Sequence, residues 1–160
     1  MTSQIYPSTS RRYSFGLPRG FVAKAAIVLT ASREQVWKAL TVPTLIKLYF
    51  FGATVTTDWH VGSPITYAIE WQGKRYHDKG TILHVHPPTL LVFTFWNSLA
   101  GLSDIPSNYK TITYRLIPVK DGTKLTIEQD NHATRADAQQ AEDKWNTMLC
   151  RLQDVLEEEV

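Results

Sequence analysis

The spacing of apolar positions divides this chain into segments of two periods. Phe21 to Leu29 is apolar and β-favouring, and predicts a first strand. Ser32 with Gln35 three positions on is a capping-box start for a short helix carrying Val36, Trp37 and Leu40. Pro43 suits the first turn of a second helix, with Leu45, Ile46, Leu48 and Tyr49 as its apolar positions and Gly52 as its stop. The period then changes to two. Ala53 to Trp59 predicts a strand, and after a turn at Gly62-Ser63-Pro64 the residues Ile65, Tyr67, Ile69 and Trp71 alternate with Thr66, Ala68 and Glu70. Gln72-Gly73 closes a hairpin, Arg75 to Val85 returns, and Pro87-Pro88 stops that strand because proline cannot donate to a ladder. Leu90 to Trp96 follows, then a polar loop from Asn97 to Asn108. Lys110–Pro118 and Lys124–Gln129 form a last hairpin turned by Asp121-Gly122.

The end returns to the helical period. Thr134 is the expected N-cap, with Asp137 at the third position. Ala138, Ala141, Trp145, Leu149, Leu152 and Leu156 then draw one apolar stripe. From Thr134 to Glu159 the helix would be about 38 Å long, enough to cross a whole sheet. The order β-α-α-β6-α, with successive strands joined by tight turns, predicts an α+β domain built on an antiparallel meander.

Composition narrows the class. The 160 residues are 43% hydrophobic and 20% charged, which excludes disorder, and the net charge of +2 argues against nucleic acid as a partner. No window approaches the ~18 apolar residues of a membrane span. Residues 1–20 hold Arg11, Arg12 and Arg19, several serines and no acid, and read as a mobile tail ahead of a single domain over residues 21–160. One cysteine, Cys150, excludes an intramolecular disulfide and suits a reduced, cytoplasmic setting. One residue off the helical stripe, it reads as a half-buried packing thiol. His84 and His86 lie two apart on a strand and face one side, but nothing completes a metal set, so no metal and no cofactor are expected.

Several stretches in this order resemble the START-like (SRPBCC) superfamily, and in particular homologues of the C-terminal domain of the activator of heat-shock protein 90 ATPase. They are Val36-Trp37-Lys-Ala-Leu40-Thr-Val-Pro43, then Asp58-Trp-His-Val-Gly62, then Gly80 through Pro88 with Leu91-Val-Phe-Thr94. Gly122-Thr-Lys-Leu125-Thr-Ile127 and the final Trp145, Leu149, Leu152, Leu156 complete the set. The resemblance spans about residues 22 to 158. The chain departs from the pattern at Ser63-Pro64, Lys79 and Gln129. The resemblance implies a helix-grip (START-like, Bet v-like) fold: a curved antiparallel sheet wrapped around a long C-terminal helix. Those activators also carry an N-terminal domain as their main chaperone-binding element, which twenty tail residues would not supply.

Geometry supplies the functional expectation. A bent sheet and a straight helix cannot touch along their whole lengths, and the stripe shrinks to Ala138 and Ala141 toward the helix N-terminus. A cavity for a small hydrophobic or aromatic molecule is expected there, and the resemblance implies a lipid or polyketide in kind. Its wall would be Tyr67, Ile69, Tyr76, Phe93, Phe95, Tyr114 and Trp145, with Asp78 and Gln129 as orienting polar groups, and the Asn97–Asn108 loop as a lid. Non-catalytic binding is the leading expectation. The alternatives, which the resemblance implies, are an aromatase/cyclase-type enzyme in the same cavity, with Asp78 or a pocket tyrosine as its acid or base, and a stress-related chaperone-interacting adaptor.

Overall fold

A computed structural model describes residues 17–159. Strand β1 (Phe21–Leu29) leads to helices α1 (Arg33–Thr41) and α2 (Pro43–Tyr49). Six strands follow: β2 (Thr54–Thr56), β3 (Pro64–Trp71), β4 (Lys74–His86), β5 (Leu90–Phe95), β6 (Lys110–Val119) and β7 (Gly122–His132). Helix α3 (Arg135–Glu159) closes the chain. The strands form one seven-stranded antiparallel sheet in the order β1-β7-β6-β5-β4-β3-β2, so β1 joins the far edge beside β7 and the remainder is a meander. This is the expected helix-grip arrangement.

The local signals act as chemistry requires. At Ser32 the hydroxyl accepts from the Gln35 backbone N–H at 3.1 Å, and the Gln35 side-chain oxygen accepts from the Ser32 N–H at 2.9 Å, so the capping box is closed both ways. Thr134 caps α3 by accepting from the Asp137 N–H at 3.0 Å. Strand β2 is shorter than the expected Ala53–Trp59. Trp59 takes a left-handed φ of 63°, and the Asp58 carboxylate captures the His60 N–H at 2.9 Å, which turns the chain off the sheet edge.

Curvature is built into β4. Its first half pairs with β3 and its second half with β5, and the register slips between Ile82 and His84. Gly80 sits at the crossing, where a Cβ would fall 1.6 Å from the Thr94 carbonyl oxygen, so only glycine lets the two backbones approach this closely. The slip has a second effect. By register it carries His84 and His86 to the outer face with His77, their rings 6.2 Å apart, and returns Val85 to the inner face.

The core lies between the inner face of the sheet and the three helices. Ile65, Ile82, Leu91, Ile112, Leu125 and Ile127 of the sheet meet Met148, Leu149 and Leu152 of α3, all at most 1% exposed. Cys150 is exposed, not half-buried as its place beside the stripe suggested: the next residue around a helix turns about 100° away from the buried face. Of the segment read as a tail, residues 1–16 lie outside the described residues. Arg19 is held at the sheet's end, its N–H bonded to the Asp130 carboxylate at 3.1 Å and its guanidinium to the Tyr109 carbonyl at 2.7 Å.

Candidate functional site

Alternation on neighbouring strands brings aromatic rings from across the sheet onto one inner face. Tyr67 on β3, Phe93 and Phe95 on β5 and Tyr114 on β6 are each at most 9% exposed. Trp145 of α3 descends on them, and Phe50, just past α2, fills the remaining side. The rings form a continuous chain of contacts: Phe50–Tyr67 at 5.1 Å between centroids, Tyr67–Phe95 at 5.6 Å, Tyr67–Phe93 at 6.4 Å, Phe93–Tyr114 at 5.6 Å and Tyr114–Trp145 at 6.0 Å. Most meet edge-to-face, the arrangement that aromatic quadrupoles favour. The space expected to taper open beside the N-terminal half of α3 is therefore occupied in large part by rings.

Polar atoms are set among these rings. Gln129 on β7 accepts the Trp145 indole N–H at 2.9 Å, which fixes the tryptophan's tilt. Asp78 lies directly across from Tyr67 in the β3–β4 register and is 4% exposed. Its Oδ1 accepts two bonds from Ser98, the backbone N–H at 3.0 Å and the hydroxyl at 3.2 Å. Burial pushes the Asp78 carboxyl above its ordinary value, against the lowering pull of the Ser98 bonds and of His77. Tyr49, Tyr67 and Tyr114 are likewise raised, first by burial. Tyr67 also feels Asp78, and Tyr114 feels Tyr67 and Tyr49, so these groups form one electrostatic neighbourhood.

The three tyrosines differ in how their hydroxyls are used. Tyr49 donates to the Ala39 carbonyl at 2.7 Å. The Tyr67 and Tyr114 hydroxyls, like Asp78 Oδ2, form no hydrogen bond with any described residue, yet none is among the sealed side-chain atoms without a partner.

The loop expected as a lid is fastened at this point. Asp78 holds Ser98 on the inner side of β4. On the outer side Lys79 binds the Asp104 carboxylate at 2.6 Å and lies over the Trp96 ring. The Trp96 indole N–H donates to the Leu102 carbonyl at 3.2 Å, and the Asn108 amide to the Ser103 carbonyl at 2.9 Å. Burial, joined by Asp104, raises the Tyr109 phenol to about 12.

Of the residues singled out from the sequence, Tyr67, Phe93, Phe95, Tyr114 and Trp145 are joined by ring contacts, Gln129 by its bond to Trp145, and Asp78 lies across from Tyr67 on the adjoining strand. Ile69 and Ala141 are partly buried against the same core. Ala138 is fully buried but outside that cluster, and Tyr76 is half-buried at the β3–β4 hairpin, against Trp71 at 6.4 Å. Sequence reasoning missed Phe50, Tyr49 and Ser98. The first two follow an apolar helix pattern that reads as ordinary packing, and Ser98 is one polar residue in a polar loop. A separate groove of about 230 Å³ lies at the other end of α3, lined by Leu29, Thr30, Ala31, Gln153, Leu156 and Glu157, and contains none of the expected site residues.

Comparisons with known proteins agree with this architecture. Residues 30–157 match the sequence profile described as "Activator of Hsp90 ATPase homolog 1-like protein". The solution structure of ChR145 from Cytophaga hutchinsonii is 40% identical, with 89% of this chain and 98% of that one covered and a TM-score of 0.77. The Aha1 dimer from Colwellia psychrerythraea is 20% identical over 85% of this chain and 96% of that one, at a TM-score of 0.68. DynU16, described as a putative protein in the dynemicin biosynthetic locus, is 18% identical over 85% of this chain and 47% of that one, at a TM-score of 0.70. At the two lower identities the likeness concerns the fold alone. Comparison with curated proteins gives no match.

Proposed function

The chain belongs to the Activator of Hsp90 ATPase homolog 1-like family, within the SRPBCC fold group, and on that premise we propose that it binds a small, mainly apolar or aromatic molecule between the sheet and α3. The observation that carries this reading is the pair of buried tyrosines, Tyr67 and Tyr114, whose hydroxyls have no hydrogen-bond partner among the described residues. Buried polar groups are ordinarily paired, because leaving one unmade costs about 1–3 kcal/mol. A wall of rings with a few such groups is the composition of a small-molecule site. Because the rings already touch, a guest has to part them, and the loop fastened through Ser98 and Asp104 is the element that can be released to admit it.

Native mass spectrometry of protein purified from its own host tests this, alongside thermal unfolding with a panel of naphthalene and flavonoid compounds. A guest present at a hundredfold over its Kd adds about 3 kcal/mol, a rise of roughly 6–10 °C for a chain of this size. Absence of any co-purifying molecule, together with a flat thermal panel, would overturn the proposal.

A second reading, an aromatase/cyclase-type enzyme using the same interior, draws on the raised carboxyl of Asp78 beside Tyr67. A carboxyl raised above its ordinary value by burial is shifted in the direction that general acid work requires. Conversion of a bound poly-ketone probe that is lost in Asp78→Asn while binding persists would favour it over simple carriage.

A further inference from the structure

We infer that the second half of the β1 edge takes up an extended segment of a partner protein as an added antiparallel strand, and that in this segment basic residues precede alternating apolar ones. The two halves of that edge are finished differently. At its start α3 covers the backbone: the Lys24 N–H donates to the Glu142 carboxylate at 2.9 Å, Arg135 donates to the Val22 carbonyl at 3.3 Å, and the two side chains pair at 3.0 Å. A Lys24 N–H turned toward Glu142 is turned away from β7, so Lys24 and Glu128 exchange no ladder bonds. Antiparallel pairing alternates, and the register runs unbroken from Ala23 to Leu29, so Ala26 and Val28 also point their N–H and C=O groups outward. Both residues are exposed, and neither bonds a described residue on that side.

An unpaired edge is a template for another strand, and proteins ordinarily cover it, shorten it or turn it away. The opposite edge, β2, is three residues long, and its chain leaves the sheet at Trp59. On β1 the open stretch runs instead into the groove of about 230 Å³ that Leu29 and Ala31 share with Gln153 and Leu156 of α3. Outward N–H and C=O groups repeating every second residue are what an extended main chain reproduces. Alternate side chains of an added strand face opposite sides of the sheet. One set enters the groove against Leu29 and Leu156. The other continues the outer row Val28–Lys124–Ile117, whose apolar members are 55% and 43% exposed. Charge sets the order within the segment. Glu157 lines the groove, Glu158 follows it exposed, and the last turn of α3 has no basic residue to oppose the negative end of the helix dipole. An antiparallel segment brings its N-terminal residues to this end of β1, so these are the ones that carry the cations.

The probe is a synthetic peptide, Lys-Arg-Val-Thr-Val-Thr-Val, capped at both ends and titrated into the intact isotope-labelled chain by NMR at low salt. Amide shifts are expected at residues 26–31 and 153–157 and nowhere on the β3–β4 hairpin. The same peptide N-methylated on the residues whose N–H groups would face β1 should bind about tenfold more weakly, because it cannot form the ladder. A peptide beginning Glu-Glu should bind roughly fivefold more weakly, and Glu157→Lys should abolish that preference. Val28→Pro removes an N–H that the β7 ladder does not use, an exchange that edge strands tolerate, and should weaken the peptide about as much as N-methylation does. Equal binding by the N-methylated peptide, shifts that fall elsewhere, or no shifts at about 1 mM peptide would overturn the inference. Shifts of the same amides on concentrating the chain alone would overturn the partner in favour of a second copy of this chain.

Discussion

The two halves of α3 are packed by different means. Toward the C-terminus, Met148, Leu149 and Leu152 are at most 1% exposed and meet aliphatic side chains of the sheet and α1. Such a contact has no direction and no polar atom to satisfy; its strength grows with the area removed from water. Around Trp145 the filling is made of rings with polar tips, and each tip poses a separate question of where its hydrogen bond goes. Trp145 and Tyr49 have protein answers, at Gln129 and Ala39. Tyr67 and Tyr114 do not. One half is therefore packed without polar groups, and the other leaves the Tyr67 and Tyr114 hydroxyls without a bond to any described residue.

Truncating the aliphatic half should have the largest effect. Leu152→Ala is expected to cost about 3–5 kcal/mol in urea unfolding, because a fully buried leucine leaves a cavity that a curved sheet on one side and a helix on the other cannot close. A loss under about 1 kcal/mol would mean that this half is not the rigid anchor described.

Next comes the contrast between tyrosines. Tyr49→Phe should cost about 1–2 kcal/mol, since it strands the buried Ala39 carbonyl. Tyr67→Phe should change stability by less than about 0.5 kcal/mol, because it removes a hydroxyl that bonds no described residue. Equal losses from the two substitutions would erase the distinction between spent and available hydroxyls. Gln129→Leu, which unpairs the Trp145 indole, belongs with Tyr49 and should cost about 1–2 kcal/mol.

Acid–base behaviour sharpens the comparison further. The Asp78 carboxyl is raised in the fold, so the folded chain holds its proton more tightly than the unfolded one. Its stabilising contribution is complete below the ordinary value of 3.8 and is lost as pH rises through the raised folded value. Asp78→Asn should remove this decline, so that the variant gains on the parent as pH rises toward neutrality. Chemical unfolding of both proteins from pH 4 to 7 reads this directly, and parallel curves would refute a strained carboxylate.

His132 should show the opposite sign, at the end of β7 where the sheet hands over to α3. It is 5% exposed with its Nε2 sealed and unpaired among the described residues, and burial, then Lys110 and Arg135 against Asp137 and Asp130, lowers its pKa. Stability tied to neutral His132 is present above the ordinary 6.5 and falls as pH drops through the depressed folded value. His132→Phe should flatten unfolding curves in that acidic window.

Much of the fold was legible from local signals. The capping box at Ser32, the proline opening α2, the Asp121-Gly122 turn and the stripe from Ala138 to Leu156 each act within a few residues, so the chain alone carries them. The aromatic cluster was legible in part, because strand alternation names the residues of one face. Tyr76 shows where that reasoning stops: it shares the parity of Asp78, but its distance along β4 carries it to the hairpin, beyond the reach of α3. Cys150 shows the same limit on a helix, where one position separates stripe from solvent.

By itself, then, the sequence determined the order of elements, the inward faces of the strands and the apolar stripe of α3, since period and capping are local properties. Only the tertiary structure decided that Phe50 completes the ring cluster, that Ser98 takes one oxygen of Asp78, and that Tyr67 and Tyr114 keep their hydroxyls uncommitted. Those outcomes depend on how far β4 bends at Gly80 and where the 97–108 loop lands, and both are set by packing among residues distant in the chain.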